Sequence, residues 1–238
     1  MTAVVTGAAQ GIGAAIARKL AEEGYKVALC DVRAVDAPGA YALDVSDIGA
    51  HEAILNQIRG DLGEITALVN AAGICITQTI DQITPEGWAK TFAVNVQGAF
   101  FLSRACADQM GPGGAIVNIA SVSGFLPKLE QIDYGASKAA LISLTRSLAL
   151  VYGPKGIRVN AVAPGVIDTP LTQAIAQQRA DLRGVTPDET LAPVLGATPL
   201  RRMGGAEEVA DLVAYLLSDQ SSFITGQCLN VCGGFLMR

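Results

Sequence analysis

Short apolar runs alternate with longer amphipathic segments along the whole chain. Runs of about four to eight β-branched and apolar residues are typical of strands, whereas apolar residues three or four apart are typical of helices. The run at 113–120 is apolar enough for a strand that is buried on both faces of a parallel sheet. Strands are expected at 3–6, 26–30, 41–43, 65–70, 113–120, 156–162 and 227–231.

Five segments have the spacing of helices. The longest runs from residue 84 to about residue 110, and its large apolar residues recur about every four positions. The others are expected at 14–23, from a cap at Ser46 to about residue 61, at 134–152 and at 207–218. Because strands and helices alternate without a linker or a repeat, the sequence predicts one doubly wound α/β domain over residues 1–238, with helices flanking a parallel sheet.

Composition and charge narrow the classes of function. Of the 238 residues, 50% are hydrophobic and 16% are charged, and the net charge is −5. Since no basic cluster is present, neither nucleic acid nor an anionic membrane is expected as a partner. No apolar run reaches transmembrane length, and the N-terminus begins without a charged leader, so a cytoplasmic protein is expected.

The residue types that bind metals are sparse. The five cysteines are odd in number and lie among apolar neighbours, which favours buried reduced thiols over disulfides. Cys228 and Cys232 do not have a zinc-binding spacing, so no metal is expected. The single histidine, His51, starts a polar–apolar helical stretch and is interpreted as an exposed helix residue, which leaves little room for histidine chemistry.

A glycine-rich turn joins the first strand to the first helix. Gly7, Gly11 and Gly13 have the spacing G-x-x-x-G-x-G, and Gln10 and Ile12 lie between them. Glycines allow the backbone to turn tightly and to approach a pyrophosphate, which then lies on the helix N-terminus. The alternative is a plain strand-to-helix turn, but three glycines at this junction favour phosphate binding.

Asp31 ends the second predicted strand. A carboxylate at this position can accept hydrogen bonds from the ribose hydroxyls of NAD, and it would repel the 2′-phosphate of NADP. Arg33 could hold that phosphate, but Gln10 occupies the glycine turn where a second cation would help. The balance favours NAD, and the alternative interpretation of Asp31 is a turn residue.

Polar residues, glycine or proline stand where six of the predicted strands end. In open parallel sheets, ligands bind beyond the carboxyl ends of the strands. Core packing does not explain six such positions, so the sequence predicts a ligand site at this edge. The six residues are Gly7, Asp31, Asp44, Asn70, Ser121 and Pro164.

Tyr134 and Lys138 stand four residues apart in the helix expected at 134–152. Residues i and i+4 share a helix face, so the cation is expected beside the phenol. A nearby positive charge lowers the pKa of a phenol from its usual value near 10, and a proton-transfer group works best when its pKa is near the operating pH. Taken alone, the pair is better interpreted as a surface pair, because this spacing occurs by chance in many helices.

Together these motifs resemble the classical type of the short-chain dehydrogenase/reductase family over nearly the whole chain. The interval between Ser121 and Tyr134 is the one usual in that family. The resemblance implies a Rossmann-like domain, a nicotinamide cofactor and a homotetramer. The motifs that carry it are Thr6-Gly7-x-x-x-Gly11-x-Gly13, Asp44, Asn70-Ala-Ala-Gly73, Asn95, Ser121, Tyr134-x-x-x-Lys138 and Pro164-Gly165 with Thr169.

The resemblance implies four catalytic residues. Tyr134 is the general acid/base, and Ser121 hydrogen-bonds the substrate oxygen. Lys138 lowers the pKa of Tyr134 and binds the nicotinamide ribose, while Asn95 holds a water that links Lys138 to solvent. Hydride transfer leaves alkoxide-like charge on the substrate oxygen, and a hydroxyl donor and a phenol can stabilise that charge.

The resemblance also distributes NAD along the edge of the sheet. It assigns Asp44-Val45 to the adenine, Asn70 and Gly73 to the adenine-side ribose and nearby backbone, and Ile167 and Thr169 to the carboxamide. The full set of expected cofactor-binding residues is Gly7, Gln10, Gly11, Ile12, Gly13, Asp31, Asp44, Val45, Asn70, Gly73, Tyr134, Lys138, Pro164, Gly165, Ile167 and Thr169.

The expected function is NAD(H)-dependent interconversion of a secondary alcohol, polyol or diol and a ketone, both of them small molecules. One alternative is the reduction of a 3-oxoacyl thioester, which residues 224–227 suggest, and another is a dihydrodiol dehydrogenase. A sensor or scaffold that binds NAD without turnover is disfavoured, because Ser121, Tyr134 and Lys138 are all present.

Two segments are expected to shape the substrate pocket. Residues 123–133 line one side, and the polar residues Lys128, Glu130 and Gln131 within it are interpreted as a solvated rim. Residues 170–200 are expected to form a substrate lid. Just beyond the lid, Arg201 and Arg202 are interpreted either as a clamp for the substrate or as partners of nearby acids.

Overall fold

The computed structural model, which describes residues 1–237, contains a sheet of seven parallel strands. The strands are β1 (Thr2–Thr6), β2 (Lys26–Asp31), β3 (Ala40–Ala42), β4 (Ile65–Asn70), β5 (Ala115–Ile119), β6 (Arg158–Pro164) and β7 (Cys228–Val231). Their order across the sheet is β3-β2-β1-β4-β5-β6-β7, so the winding direction reverses between β1 and β4. The doubly wound parallel sheet expected from the sequence is confirmed.

Within residues 1–237, eight α-helices connect and cover the strands. They are α1 (Gly11–Glu22), α2 (His51–Leu62), α3 (Pro85–Phe92), α4 (Ala99–Ala107), α5 (Ile132–Tyr152), α6 (Pro170–Arg183), α7 (Pro187–Ala197) and α8 (Ala206–Leu217). The helix expected from residue 84 to about 110 is present as α3 and α4, joined by a π-helical turn at Ala93–Gly98. Such π-turns are often found at functional sites.

The two faces of the sheet pack against different helices. On β1, Ala3 and Val5 belong to the core on the side of α1 and α8, whereas Val4 belongs to the core on the side of α2, α4 and α5. Successive side chains of a strand point to opposite faces, so this alternation follows directly from the strand conformation. With both faces covered, β1 is buried along its whole length.

The segment after β3 differs from the prediction in two ways. Ser46 does not cap a helix; its N–H and Oγ instead donate to the carboxylate of Asp44, at 2.9 and 2.6 Å. The helix α2 begins later, at His51, which is only 2% exposed. The interpretation of His51 as an exposed residue is therefore wrong. The ring is buried, and its Nε2 donates a hydrogen bond to the carbonyl of Val45 at 2.9 Å.

Within residues 1–237, none of the helices has both the length and the apolar composition needed to cross a bilayer. Three of the five unpaired cysteines, Cys30, Cys75 and Cys106, are buried. Burial raises the pKa of the Cys30 and Cys75 thiols to about 12, so both stay protonated at neutral pH.

Candidate active site

A cleft of about 700 Å³ opens at the carboxyl ends of the strands, as the sequence predicts for an open parallel sheet. The helices α6 and α7 form its outer wall. Most of the expected site residues line this cleft. They are Gly7, Gln10, Gly11, Ile12, Gly13, Asp31, Asp44, Val45, Gly73, Ser121, Tyr134, Lys138, Pro164, Gly165, Ile167 and Thr169.

The glycine turn after β1 is packed too tightly for side chains. Gly7 has a φ of 67°, and a Cβ there would lie 2.9 Å from the backbone of Ala72. A Cβ on Gly13 would lie 2.1 Å from the carbonyl oxygen of Gly7. This packing brings the start of α1 against β1 and leaves its N-terminus facing the cleft.

The N-terminus of α1 is free to bind an anion. Gln10 is the N-cap residue, and its side chain makes no capping hydrogen bond. The backbone N–H groups of the first helical turn have no partner within the helix, and together with the helix dipole they attract a phosphate. The bare turn and the open helix end fit the pyrophosphate of a dinucleotide.

The carboxylate of Asp31 is fixed between two backbone N–H groups. Its Oδ2 accepts from Ala9 at 3.0 Å and its Oδ1 accepts from Arg33 at 2.9 Å. The guanidinium of Arg33 in turn donates to the side-chain oxygen of Gln10. Asp31 therefore presents a fixed negative charge to the nucleotide end of the cleft, and the Arg33 cation lies against the glycine turn.

Asp44 and Val45 form the wall next to Asp31. The hydrogen bonds from the side chain and the backbone of Ser46 hold the pKa of the Asp44 carboxyl below its usual value, so it is charged at neutral pH. Val45 is 5% exposed, and its carbonyl oxygen accepts a hydrogen bond from His51 Nε2. This rigid apolar and carboxylate surface suits the adenine end of a cofactor.

Tyr134 and Ser121 bring two hydroxyl groups together in the middle of the cleft. Ser121 follows the end of β5, and Tyr134 lies in the first turn of α5. A hydrogen bond joins the two side chains. Burial raises the pKa of the Tyr134 phenol above its usual value, and the hydrogen bond with Ser121 opposes that change. In the free protein, Tyr134 is therefore a protonated donor at neutral pH.

Lys138 lies beside Tyr134 on the same face of α5, as the spacing predicts. Its Nζ is 5.7 Å from the centroid of the Tyr134 ring and donates to the carbonyl of Ile119 at 2.7 Å. The side chain is only 4% exposed, and burial lowers the pKa of its ammonium group to about 8. Burial is the main influence on the pKa of Tyr134 in the free protein, and the expectation that Lys138 lowers that pKa stays a prediction.

Asn70 does not line the cleft, contrary to the role that the resemblance gave it. Its Nδ2 donates to Ser103 Oγ at 2.9 Å and to Asn118 Oδ1 at 2.8 Å. Asn118 Nδ2 in turn donates to Thr145 Oγ1 of α5 at 2.9 Å. Asn70 has the same parity on β4 as Leu68, so strand alternation points it into the core beneath α4 and α5 rather than at the ligand.

Asn95 lies in the π-turn and positions the loop after β4. Its Oδ1 accepts from the N–H of Ile74 at 2.9 Å, and its Nδ2 donates to the Ile74 carbonyl at 2.9 Å and to Ser137 Oγ at 3.0 Å. The residue is 1% exposed and does not line the cleft. Asn95 therefore links the loop after β4 to α5. Its expected role in holding a water that connects Lys138 to solvent stays a prediction.

The segment after β6 closes the cleft opposite the glycine turn. Gly165 is held to β7 by a hydrogen bond from its N–H to the Val231 carbonyl at 2.9 Å. Thr169 caps α6, since its Oγ1 accepts from the N–H of Thr172 at 3.3 Å. The side chain of Thr169 faces the position of a Cβ on Gly11 at 3.5 Å, so the start of α6 and the start of α1 meet across the cofactor end.

The substrate end contains side chains that the sequence did not assign. Lys128 and Gln131 line the cleft, and Gln131 is only 3% exposed, so their interpretation as a solvated rim is wrong. Arg179, on the inner side of α6, had no signal in the sequence because the helix around it is largely polar. Phe235 near the C-terminus also lines the cleft, and a single aromatic residue in a tail predicts no contact.

Arg201 and Arg202 lie away from this end. Arg202 forms a two-pronged ion pair with Glu208, with both N–O distances at 2.7 Å, and Arg201 donates to the carbonyl of Gly196. Neither residue lines the cleft, so of the two interpretations the pairing with a nearby acid is the one observed for Arg202.

Known proteins resemble this chain over its full length. A family model described as enoyl-(acyl carrier protein) reductase matches residues 7–236. The 3-oxoacyl-[acyl-carrier-protein] reductase of Escherichia coli K12 is 38% identical, over 99% of this chain and 97% of the relative. The human (3R)-3-hydroxyacyl-CoA dehydrogenase is 35% identical, over 99% of this chain and 95% of the relative.

Two solved structures resemble this chain both in fold and in sequence. Ligand-free aldohexose dehydrogenase of Thermoplasma acidophilum superposes with a TM-score of 0.91 at 35% identity, covering 100% of this chain and 94% of that one. A variant of actinorhodin polyketide ketoreductase with NADPH gives a TM-score of 0.89 at 30% identity, covering 98% and 96%. The chain therefore belongs to the short-chain dehydrogenase/reductase family, whose members are oxidoreductases that use a nicotinamide cofactor to act on CH–OH or keto groups.

Proposed function

We propose that this protein interconverts a secondary alcohol, including a polyol or a diol, and the corresponding ketone with NAD(H). The observation that carries the proposal is the hydrogen-bonded pair of Ser121 and Tyr134, with the Lys138 ammonium beside it, in the middle of a cleft whose other end fits a dinucleotide. A protein that only sensed the cofactor would not need a buried proton donor at this point.

In the reducing direction, Tyr134 donates its phenolic proton to the substrate oxygen while Ser121 Oγ donates a hydrogen bond to the same oxygen. Both groups stabilise the negative charge that develops there. When bound, the nicotinamide supplies the hydride to the carbonyl carbon or accepts it from the alcohol carbon. In the oxidising direction, the phenolate of Tyr134 takes the hydroxyl proton from the alcohol.

Lys138 supports this proton transfer electrostatically. Its pKa of about 8 leaves it mainly protonated at neutral pH, and a cation near a phenol favours the phenolate that remains after the proton has moved. Its amine also lies next to Gly73, at 3.4 Å from the position of a Cβ on that residue. Because both Gly73 and Lys138 line the cleft, a ribose hydroxyl bound there would be within reach of the ammonium group.

NAD rather than NADP is the proposed cofactor. The fixed carboxylate of Asp31 supports this choice, because it would accept hydrogen bonds from ribose hydroxyls and repel a 2′-phosphate. The Arg33 guanidinium would suit a phosphate, but it is already bonded to Gln10. The related ketoreductase was solved with NADPH, so the choice of NAD for this chain rests on Asp31 alone.

Reduction of a 3-oxoacyl thioester is the second candidate. It is favoured by two relatives with nearly full coverage, one named for 3-oxoacyl-[acyl-carrier-protein] reduction and the other for 3-hydroxyacyl-CoA dehydrogenation. The chemistry at Tyr134 would be the same, and only the group attached to the carbonyl would differ.

A homotetramer is the proposed assembly. Near the end of α5, Leu150 and Val151 are 81% and 61% exposed, although the helix already buries its other side on the sheet. An apolar helix surface that the chain itself does not cover is typical of a subunit contact. Sedimentation of the full chain at micromolar concentration is expected to give a tetramer, and a monomer would refute this assembly.

A panel assay tests the function directly. Secondary alcohols, polyols, small ketones and 3-oxoacyl-CoA thioesters are incubated with NAD(H) or NADP(H), and the absorbance of the reduced cofactor is followed in both directions. We expect turnover of at least one alcohol–ketone pair with NAD(H). Turnover restricted to 3-oxoacyl thioesters would select the second candidate, and none at all would reject both.

A further inference from the structure

Cations line both ends of the cleft, including Arg33 and Lys90 at the nucleotide end, but the carboxylates line only the nucleotide end. Its acidic side chains, among residues 1–237, are Asp31 and Asp44, and both lie at the nucleotide end. Beyond Tyr134, the charged groups that line the substrate end are Lys128 and Arg179. The part of the cleft that receives the substrate is therefore cationic, with no lining carboxylate.

Lys128 is half-buried in the loop between β5 and α5. Its Nζ lies 5.5 Å from the centroid of the Phe235 ring, and it makes no ion pair with the residues that the structure describes. Burial and the nearby Arg179 both lower the pKa of this amine, which means that its charge is held at a cost in free energy. An anion at this position would relieve that cost.

Arg179 is held firmly with part of its charge unmatched. Its Nη2 donates to Gln131 Oε1 at 2.8 Å, while its Nε lies 3.4 Å from Glu130 Oε2 without a hydrogen bond. Glu130 gives both of its oxygens to Arg183, with distances of 2.7 Å each. The Glu130 carboxylate is thus shared by the guanidinium groups of Arg179 and Arg183. Of these two arginines, Arg179 is the one that lines the cleft.

A short chain of contacts joins Arg179 to the reaction centre. Gln131, which accepts from Arg179, donates its Nε2 to the Sγ of Cys75 at 3.0 Å. Cys75 lines the same cleft as Tyr134 and Lys138 and lies close to both of them. The guanidinium is therefore placed where it can reach the far end of a small molecule whose carbonyl lies at Tyr134.

We propose that Lys128 and Arg179 form an anion-binding subsite, and that the substrate is a keto or hydroxy compound that carries an acidic oxyanion group, a carboxylate or a phosphate, at its end remote from the reacting carbon. Guanidinium binds both groups through paired N–H donors, and ammonium adds a second charge. The inference rests on the proposed oxidoreductase function and narrows its substrate class.

The test compares matched anionic and neutral substrates. Acetoacetate and levulinate are each paired with their methyl ester, and dihydroxyacetone phosphate is paired with dihydroxyacetone. The wild-type protein is expected to favour the anionic member of at least one pair by about tenfold or more in kcat/KM, since a charge-assisted hydrogen bond contributes at least that much. A preference within the acid–ester pairs identifies a carboxylate, and one within the other pair identifies a phosphate.

The variants Lys128→Met and Arg179→Gln are expected to reduce this preference to near unity and to leave kcat/KM for the neutral member within about threefold. Arg202→Gln is the matched control, because it also breaks an arginine–glutamate ion pair, the one with Glu208, but neither residue lines the cleft. We expect Arg202→Gln to keep the preference. Equal kcat/KM for both members in the wild-type protein would overturn the inference, as would equal losses of preference in Arg179→Gln and Arg202→Gln.

A binding measurement separates this inference from the proposed function. Saturation-transfer NMR with levulinate and with dihydroxyacetone phosphate needs no turnover. If no ketone is reduced but either anion binds the wild-type protein and not Lys128→Met, the function is wrong and the subsite stands. If neutral ketones are reduced as well as anionic ones and neither anion binds, the function stands and the subsite is wrong.

Discussion

The carboxylate of Asp31 accepts a 3.0 Å hydrogen bond from the backbone N–H of Ala9. This contact joins the end of β2 to the glycine turn, so the negative charge and the phosphate-binding backbone are fixed relative to each other. Arg33 completes the arrangement, because its own N–H donates to the other oxygen of Asp31 at 2.9 Å. We therefore expect a rigid group to decide between NAD and NADP.

Replacement of Asp31 is expected to change cofactor selectivity. Without the carboxylate, a 2′-phosphate meets no repulsion and finds the guanidinium of Arg33, so Asp31→Ala should raise kcat/KM for NADP relative to NAD by at least about tenfold, which corresponds to about 1.4 kcal/mol. Asp31→Asn is the matched variant, because it keeps an oxygen for Ala9 and removes the charge. Equal kcat/KM for both cofactors in the wild-type protein would contradict this prediction.

Removal of the Lys138 ammonium is expected to impair both catalysis and cofactor binding. In Lys138→Met the phenolate of Tyr134 becomes harder to form, so the pH optimum of alcohol oxidation should move upward and kcat should fall at least about tenfold, the loss that about 1.4 kcal/mol of transition-state stabilisation produces. The affinity for NAD should fall as well.

The control for Lys138 is Lys90→Met, which removes another lysine that lines the cleft. It should leave the pH profile in place. A Lys138→Met profile that coincides with the wild-type profile would show that the cation does not act on the proton transfer.

The lid formed by α6 and α7 is expected to respond to ligands. The buried residues of these two helices are Ala176, Ala180 and Thr190, so most of their side chains are partly or fully exposed. The polar contacts of α6 with the rest of the chain include those of Gln178 with Thr77 and of Arg183 with Glu130. Residues 171–195 should exchange amide hydrogens rapidly in the free protein and more slowly with NAD and substrate, as the lid closes and excludes water. Equally slow exchange in both states would show that the lid is already closed, and β5 serves as the internal reference.

His51 is expected to make the stability of the protein depend on pH. Burial lowers the pKa of its ring in the folded state below the value of 6.5 for a free side chain, although the hydrogen bond to Val45 and the charge of Asp47 oppose the change. Below pH 6.5 the unfolded chain takes up a proton that the folded chain refuses, so the contribution of His51 to stability is present above that pH and is lost as the pH falls.

Urea unfolding at pH 7.5 and at pH 5 measures this effect. The free energy of unfolding should fall less between the two values in His51→Gln than in the wild-type protein, because the variant has no group to titrate at this position. The same fall in both proteins would show that other groups account for the acid sensitivity.

Much of the fold and of the cofactor site could be predicted from local patterns. The glycine turn, Asp31 and the Tyr134–Lys138 pair each follow from a backbone requirement or from helix spacing, and the structure places all of them at one cleft. The burial of the Asn70 side chain in the core could not be predicted. The sequence does not show which face of β4 is turned towards α4 and α5.

The substrate end could not be predicted in the same way. Arg179 lies far from Lys128 in the chain, and only the packing of α6 against the loop before α5 brings both into the cleft. The burial of His51 also depends on a tertiary contact, its bond to Val45, that helix periodicity does not contain. Side chains that acquire their role through long-range packing leave no signal in their local sequence.

The central claim is that Tyr134 transfers the proton, and the kcat of Tyr134→Phe tests it most directly. The variant keeps the ring and its packing but removes the hydroxyl that bonds to Ser121. With an active substrate from the panel, we expect kcat to fall by about 10²–10⁴-fold, while the affinity for NAD measured by titration changes far less. A variant that keeps near-native kcat would contradict the assignment of Tyr134 as the acid/base.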